Sequence, residues 1–250
     1  MPIHDSKHRE HNIDSGHITI VTDDGQRVPA YWAHPQVGSR FSGIALLHDW
    51  WGVNDTCRLL SNFFAQQGYY VITPDLFLGQ RPSSPREAMK LLEETGDTRY
   101  KTAAAALDVL ETHHRSNYSV AAFGLGMGGT LAYEAALKRD DLEAAISLAG
   151  FPQKYLGQFQ HCETPLMAVY GSQEPYTRQA VINQLWTELA QSPLKDVHQI
   201  KIIEGAGHHF FEKSHDASVQ EWSRQVINHT MHFLDEHLET PDIPDARPVY

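Results

Sequence analysis

Residues 43–48 form a short unbroken apolar run, the pattern of a strand buried on both faces. Similar runs recur at 69–73, 119–123, 144–148, 165–170 and 198–203. Pro74 stops the second of them, because proline cannot donate to a sheet ladder. Helical spacing fills the intervals. Asn54 is placed to cap a helix running to Gln67, two segments follow at 86–95 and 98–112, and others lie at 130–137 and 177–190. In the last helix, 217–237, Val219, Trp222, Val226 and Ile227 alternate with Gln220, Ser223 and Arg224 at helical rather than strand intervals. Ala103 to Ala106 give the 98–112 helix a smooth packing face. Upstream, 17–22 and 26–34 read as two strands around Asp23-Asp24-Gly25, a hairpin signal. Strands alternating with helices predict an α/β fold: a mostly parallel sheet with helices on both faces, and an N-terminal antiparallel hairpin at one edge.

No internal repeat or composition break marks a second domain. The pattern predicts a polar N-terminal arm over 1–16, one α/β domain over 17–240, and an irregular C-terminal tail over 241–250 carrying Pro241, Pro244 and Pro248. A chain of 250 residues, 41% apolar, supplies enough side chain for one large core. The net charge of -11 argues against nucleic acid as a partner, since phosphate binding needs a basic face. No run approaches the ~18 apolar residues of a membrane span. The first residues show no secretory leader, and two cysteines, Cys57 and Cys162, are few for an oxidised scaffold, so the expectation is a cytoplasmic protein. Among sixteen histidines, His4, His8 and His11 fall in the polar arm and read as a solvated tail. His113-His114 close a helix, where positive charge suits the dipole.

The chemistry concentrates on Gly124-Leu125-Gly126-Met127-Gly128-Gly129, between the strand at 119–123 and the helix after it. As G-x-G-x-x-G it is a dinucleotide-binding turn; as G-x-nucleophile-x-G it is a strand-to-helix elbow with glycine where Ser or Cys would stand. A dinucleotide turn wants an acidic residue closing the next strand, but that strand ends Leu148-Ala149-Gly150 and Glu143 lies at its beginning. The elbow wants an acid past a later strand and a histidine past the last one. Glu174 follows Tyr170-Gly171-Ser172-Gln173, and His208 follows Glu204-Gly205-Ala206-Gly207, so both partners occur in the required order.

These residues resemble the dienelactone hydrolase family of the α/β-hydrolase superfamily over most of the chain. The resemblance rests on the hairpin at Asp24-Gly25, on His48-Asp49-Trp50-Trp51-Gly52-Val53-Asn54, on Thr73-Pro74-Asp75-Leu76-Phe77, on the elbow, on Gly171 to Glu174 and on Ala206-Gly207-His208. The family hydrolyses small esters and lactones through a cysteine or serine with an acid and a histidine, and without a metal. The resemblance implies His208 as general base, Glu174 as its orienting acid, and Gly126 at the nucleophile's position. It implies backbone N–H donors at Met127 and Trp50 for an oxyanion. It places Asp49 where the family has a carboxylate beside the nucleophile, and Trp51, His209 and Phe210 around the pocket. Glu212 follows where the family places an arginine for a substrate carboxylate, and it would repel that group. Trp50 and Trp51 suit an apolar or planar ligand.

Glycine cannot attack, so three readings stand: a hydrolase whose His208 activates water, a non-catalytic small-molecule-binding protein, and a lyase or isomerase using His208 as base. Cys57, near the start of a helix, Cys162 and Ser172 are alternative nucleophiles that read as structural. No H-E-x-x-H or C-x-x-C spacing occurs, and no cofactor or metal is expected. The expected partner is a small ester, lactone or aromatic acid, with the protein a monomer or homodimer.

Overall fold

A computed structural model describes residues 10–22, 24–212 and 214–239. The tail at 241–250 and the first nine positions of the arm lie outside the described residues. Eight strands form one sheet in the order β1-β2-β4-β3-β5-β6-β7-β8. They are β1 (Ile13–Val21), β2 (Arg27–Pro35), β3 (Phe41–Leu47), β4 (Tyr70–Pro74), β5 (Ser116–Leu125), β6 (Ala144–Leu148), β7 (Leu166–Gly171) and β8 (Gln199–Ile203). β1 pairs antiparallel with β2 and β2 antiparallel with β4; every other pairing is parallel. This is the α/β-hydrolase fold, with the expected hairpin at its edge.

The helices are α1 (Asp55–Gln66), α2 (Pro85–Thr95), α3 (Thr98–Thr112), α4 (Met127–Lys138), α5 (Gln179–Leu189) and α6 (Ala217–His237). Successive side chains on a strand face opposite sides of the sheet, so each central strand feeds two cores. On β5, Val120 and Ala122 belong to one core with residues of α3, α4 and α5, while Ala121, Phe123 and Leu125 belong to the other with residues of α1 and α6. The same alternation runs through β7: Ala168 and Tyr170 on one side, Met167 and Val169 on the other.

Several boundaries differ from the sequence expectation. β1 begins at Ile13, inside the stretch assigned to the arm, because Ile13 to Val21 find antiparallel partners along the whole of β2. β4 keeps Pro74 as its last residue, where a missing N–H costs little. α4 begins at Met127 rather than at position 130, since its two glycines conceal a helical turn fixed by packing. Two short 3-10 turns, Pro152–Tyr155 and Phe159–His161, follow β6 where no element was expected.

His198, just before β8, ties α5's far end to the sheet. Leu166 N–H donates to its Nδ1 at 3.2 Å, which leaves Nε2–H for Ser192 Oγ at 2.7 Å. Burial, with the neighbouring His237 adding to it, lowers this histidine to about 4 against the opposing pull of the Cys162 backbone. The folded state therefore holds a neutral imidazole that the unfolded chain protonates. Its contribution is fully present above the ordinary histidine value of ~6.5 and is lost as pH falls from there toward about 4. Urea midpoints measured across that window are expected to fall in the wild type and to fall less steeply in His198→Gln.

Candidate active site

The carboxyl ends of β3, β5, β6, β7 and β8 converge on one side of the sheet. The β5–α4 turn is the sharpest element there. Gly126 takes φ +50° and ψ -110°, and its N–H donates to Leu148 O at 2.8 Å, which pins the turn to β6. A non-glycine residue pays strain at that φ. Two residues on, a Cβ at Gly128 would run into the carbonyls of Leu47 and His48, so the helix reaches β3 only with bare backbone at that point. α4 then runs buried under the sheet with Met127 as its first residue, and helix geometry leaves that N–H without an intrahelical acceptor.

Glu174 and His208 meet beside this turn, each carried by the loop after its strand. His208 Nδ1 lies 2.8 Å from Glu174 Oε2, and Tyr176 N–H donates to the other carboxylate oxygen at 2.9 Å. Burial favours the neutral acid, but the hydrogen bonds from His208 and the Tyr176 amide prevail and hold Glu174 below the usual carboxylate range. Glu174 thus stays anionic and fixes the imidazole with Nδ1–H toward itself. The lone pair of Nε2 is then free, and Nε2 sits 3.7 Å from the point where a Cβ on Gly126 would stand. Phe151 stacks against the His208 ring at 5.8 Å, and Tyr176 meets it edge-on at 4.9 Å.

Asp49 closes the opposite side, its Cβ 3.6 Å from the same Gly126 point. Buried His48 holds the loop. It accepts from Leu76 N–H at Nε2 (2.9 Å), so its Nδ1–H donates to Asp49 O (2.6 Å). Asp75 accepts from the amides of Phe77 and Gly79 and so ties the end of β4 into the same wall. The Asp49 carboxylate itself accepts from Trp51 N–H at 2.8 Å. Burial pushes its pKa up, against the pull of that hydrogen bond and of the neighbouring imidazoles. Folding thus favours the protonated acid, and stability present at low pH is lost as pH rises through the raised value. Asp49→Asn keeps the acceptor for Trp51 and removes the charge. It is expected to raise the melting temperature at pH 7.5 by about 2–4 °C, as ~1 kcal/mol does in a domain of this size, and to change little near pH 4.

A cavity of about 300 Å³ joins these groups, at the small end for ligand sites. Asp49, Trp50, Gly126, Met127, His208 and His209 line it. Two expected pocket residues do not. Phe210 is fully buried in the core against α6, its carbonyl accepting from Ser223 Oγ, and Phe211 lines the cavity in its place. Trp51 stays out of the lining and meets Trp50 edge-on at 5.3 Å. Sequence reasoning missed Met89 and Leu92 of α2, and Phe151 and Tyr176. Phe151 just follows β6 and Tyr176 lies two residues past Glu174, so the rule that ligands gather beyond carboxyl strand ends points to both. Nothing local in α2 announces that it caps a pocket.

The alternative nucleophiles are elsewhere. Cys57 is sealed in α1 and burial raises its thiol to about 12; Cys162 is likewise buried and raised to about 11. Ser172 Oγ holds Gly205 N–H and Glu204. Among the described residues no group of three or more His, Cys, Asp or Glu is arranged to hold a metal ion, and no helix is long and apolar enough to cross a membrane.

A model of the dienelactone hydrolase family matches residues 28–238. Protein usf of Aquifex pyrophilus is 25% identical over 233 residues, covering 89% of this chain and 99% of its own. Among solved structures, a dienelactone hydrolase-like promiscuous phosphotriesterase from metagenomic libraries superposes with a TM-score of 0.78 at 16% identity, covering 91% of this chain and 99% of that one. The dienelactone hydrolase of Anabaena variabilis gives 0.68 at 18% identity, with 92% and 100% covered.

Proposed function

The chain belongs to the dienelactone hydrolase family, and from that premise we propose that it hydrolyses small carboxylic esters or lactones with water, not a side chain, as the attacking group. Gly126 stands at the nucleophile's position in this reading. The observation that carries it is the intact acid–histidine pair, 2.8 Å apart, facing a bare turn. Without a Cβ, the turn has room for one water, whose share of volume is ~30 Å³. His208 Nε2 takes a proton from that water as its oxygen adds to the acyl carbon. The developing oxyanion is received by the Met127 and Trp50 N–H groups. The imidazolium then returns the proton to the departing alkoxide, so that acid and alcohol leave and the pair is restored. Glu174 stabilises the charged imidazole and keeps its tautomer.

No covalent acyl-enzyme forms on this route. Wild-type protein is expected to turn over p-nitrophenyl acetate at least about a thousandfold above background, the level that binding and the oxyanion donors alone leave when a hydrolase loses its nucleophile. Progress curves should show no burst, and iodoacetamide should leave the rate unchanged, because both thiols are buried. A rate no better than buffer defeats the proposal and favours a ligand-binding role for the cavity. A burst, or inactivation by the alkylating agent, means that a side chain attacks instead.

A further inference from the structure

Among the described residues, the charges around the cavity do not balance. Three carboxylates bracket it. Glu174 is engaged by His208, and Glu212 by His209 Nδ1 at 2.7 Å. Asp49, only 8% exposed, has the Trp51 amide and no cationic partner among the described residues. His48, on its own loop, already spends both ring nitrogens on the backbone. From the β8–α6 loop, His209 and Glu212 act on Asp49 in opposite senses, and the two are already paired. Among the described residues, neither Lys nor Arg occurs in the lining. Its other walls are Trp50, Met89, Leu92, Phe151, Tyr176 and Phe211, apolar or aromatic.

We infer that the cavity selects by charge: it takes an uncharged, planar aromatic ester or lactone and rejects carboxylates, with Asp49 setting the sign. The substrate half rests on the hydrolase reading; the selectivity does not. A rounded cavity of 300 Å³ is only about 8 Å across, so an anion bound in it sits close to Asp49. That distance is about the screening length at physiological salt, and apart from the Met127 and Trp50 N–H groups, assigned above to the acyl oxygen, the walls just named are apolar or aromatic and offer an anion no cation. A flat ring instead meets the faces and edges of the aromatic walls. Ester hydrolysis converts a neutral substrate into an acid that ionises at neutral pH, so the same repulsion expels the product. A substrate that already carries a carboxylate, as a dienelactone does, is excluded.

Benzamide and benzoate are near-isosteres that differ in charge, and their binding can be measured by calorimetry at pH 7.5 without any turnover. The wild type is expected to bind benzamide at least about tenfold more tightly than benzoate, a difference of ~1.4 kcal/mol. Asp49→Asn should bring the two within about threefold, by removing the unpaired charge. Asp49→Ser, which also leaves an acceptor for Trp51, repeats the test should Asn disturb the loop. Glu212→Gln should move the ratio less, because Glu212 is already paired. Equal affinities in the wild type, a ratio unmoved by both Asp49 variants, or binding of neither ligand would overturn the inference. Turnover absent with the selectivity intact retires the hydrolase reading alone.

Discussion

Gly126→Cys raises p-nitrophenyl acetate turnover by at least about a thousandfold and introduces a burst of p-nitrophenol equal to the enzyme concentration. Loss of the nucleophile costs a hydrolase of this design about a million-fold, with about a thousandfold left from binding and the oxyanion donors. Restoring an attacking atom recovers part of that gap. The position accepts it: a Cβ on Gly126 meets Asp49 Cβ at 3.6 Å and His208 Nε2 at 3.7 Å, ordinary contacts that place Sγ within reach of the imidazole. The thiol proton passes to Nε2, the thiolate adds to the acyl carbon, and the imidazolium protonates the leaving alkoxide. Water then cleaves the thioester by the reverse proton path. The opposing cost is strain, because φ +50° with ψ -110° is unfavourable for any residue with a Cβ. That cost is ~1–3 kcal/mol. The variant should therefore melt several degrees below the wild type while turning over faster, the trade-off expected of a strained active-site elbow. Mass spectrometry after rapid quenching should find the acyl group on the peptide that carries the Gly126→Cys substitution. A rate that stays at the wild-type level, in a folded variant, means that the turn does not present its side chain to the pocket.

Much of this architecture is legible in the sequence, and for a physical reason. Strands buried on both faces have no polar face to show, so β3, β6 and β7 announce themselves as continuous apolar runs. α1 is legible because Asn54 caps it through a side-chain bond to Cys57 N–H at 3.1 Å. The losses occur where tertiary contact overrides local preference. The glycines around the start of α4 read as a loop, yet Gly128 lets the helix press against β3 and Gly126 takes the positive φ of the turn. The pocket wall divides in the same way. Glu174 and His208 lie in loops just past strands, where strand order alone predicts convergence. Met89 and Leu92 face the cavity only because the long excursion after β4 folds α2 back over the site, and no periodicity encodes that. The exchange of Phe210 for Phe211 is a one-residue error in an irregular segment, where neither a period of two nor one of 3.6 fixes direction. Asp49 is the informative case: its position is legible from the His48-to-Asn54 segment, but its lack of a cationic partner among the described residues is visible only in three dimensions.

His208→Ala is the second decisive substitution, and its expected effect is a fall in turnover of about a hundredfold or more. A positioned general base contributes ~10²–10⁴-fold, over and above what binding and the oxyanion donors supply. The imidazole makes no fold-critical contact apart from Glu174, and its partner is the greater concern. Glu174 is 2% exposed at its side chain and loses its main hydrogen bond when the ring is removed. Thermal melts must therefore accompany the rates; a loss of ~1–3 kcal/mol is expected from the stranded carboxylate. Glu174→Gln separates orientation from proton transfer. It keeps a similar shape, removes the charge that stabilises the imidazolium, and should reduce turnover with little change in ligand binding. The strongest version places His208→Ala in the Gly126→Cys background. If the two residues work as a unit, the double variant falls to the level of His208→Ala alone, because a thiol without its base is a poor nucleophile. Independent, additive effects would mean that the introduced thiol draws its reactivity from another group, with Asp49 the nearest candidate. An unchanged wild-type rate in the single variant would remove His208 from the chemistry and leave the cavity as a site for binding alone.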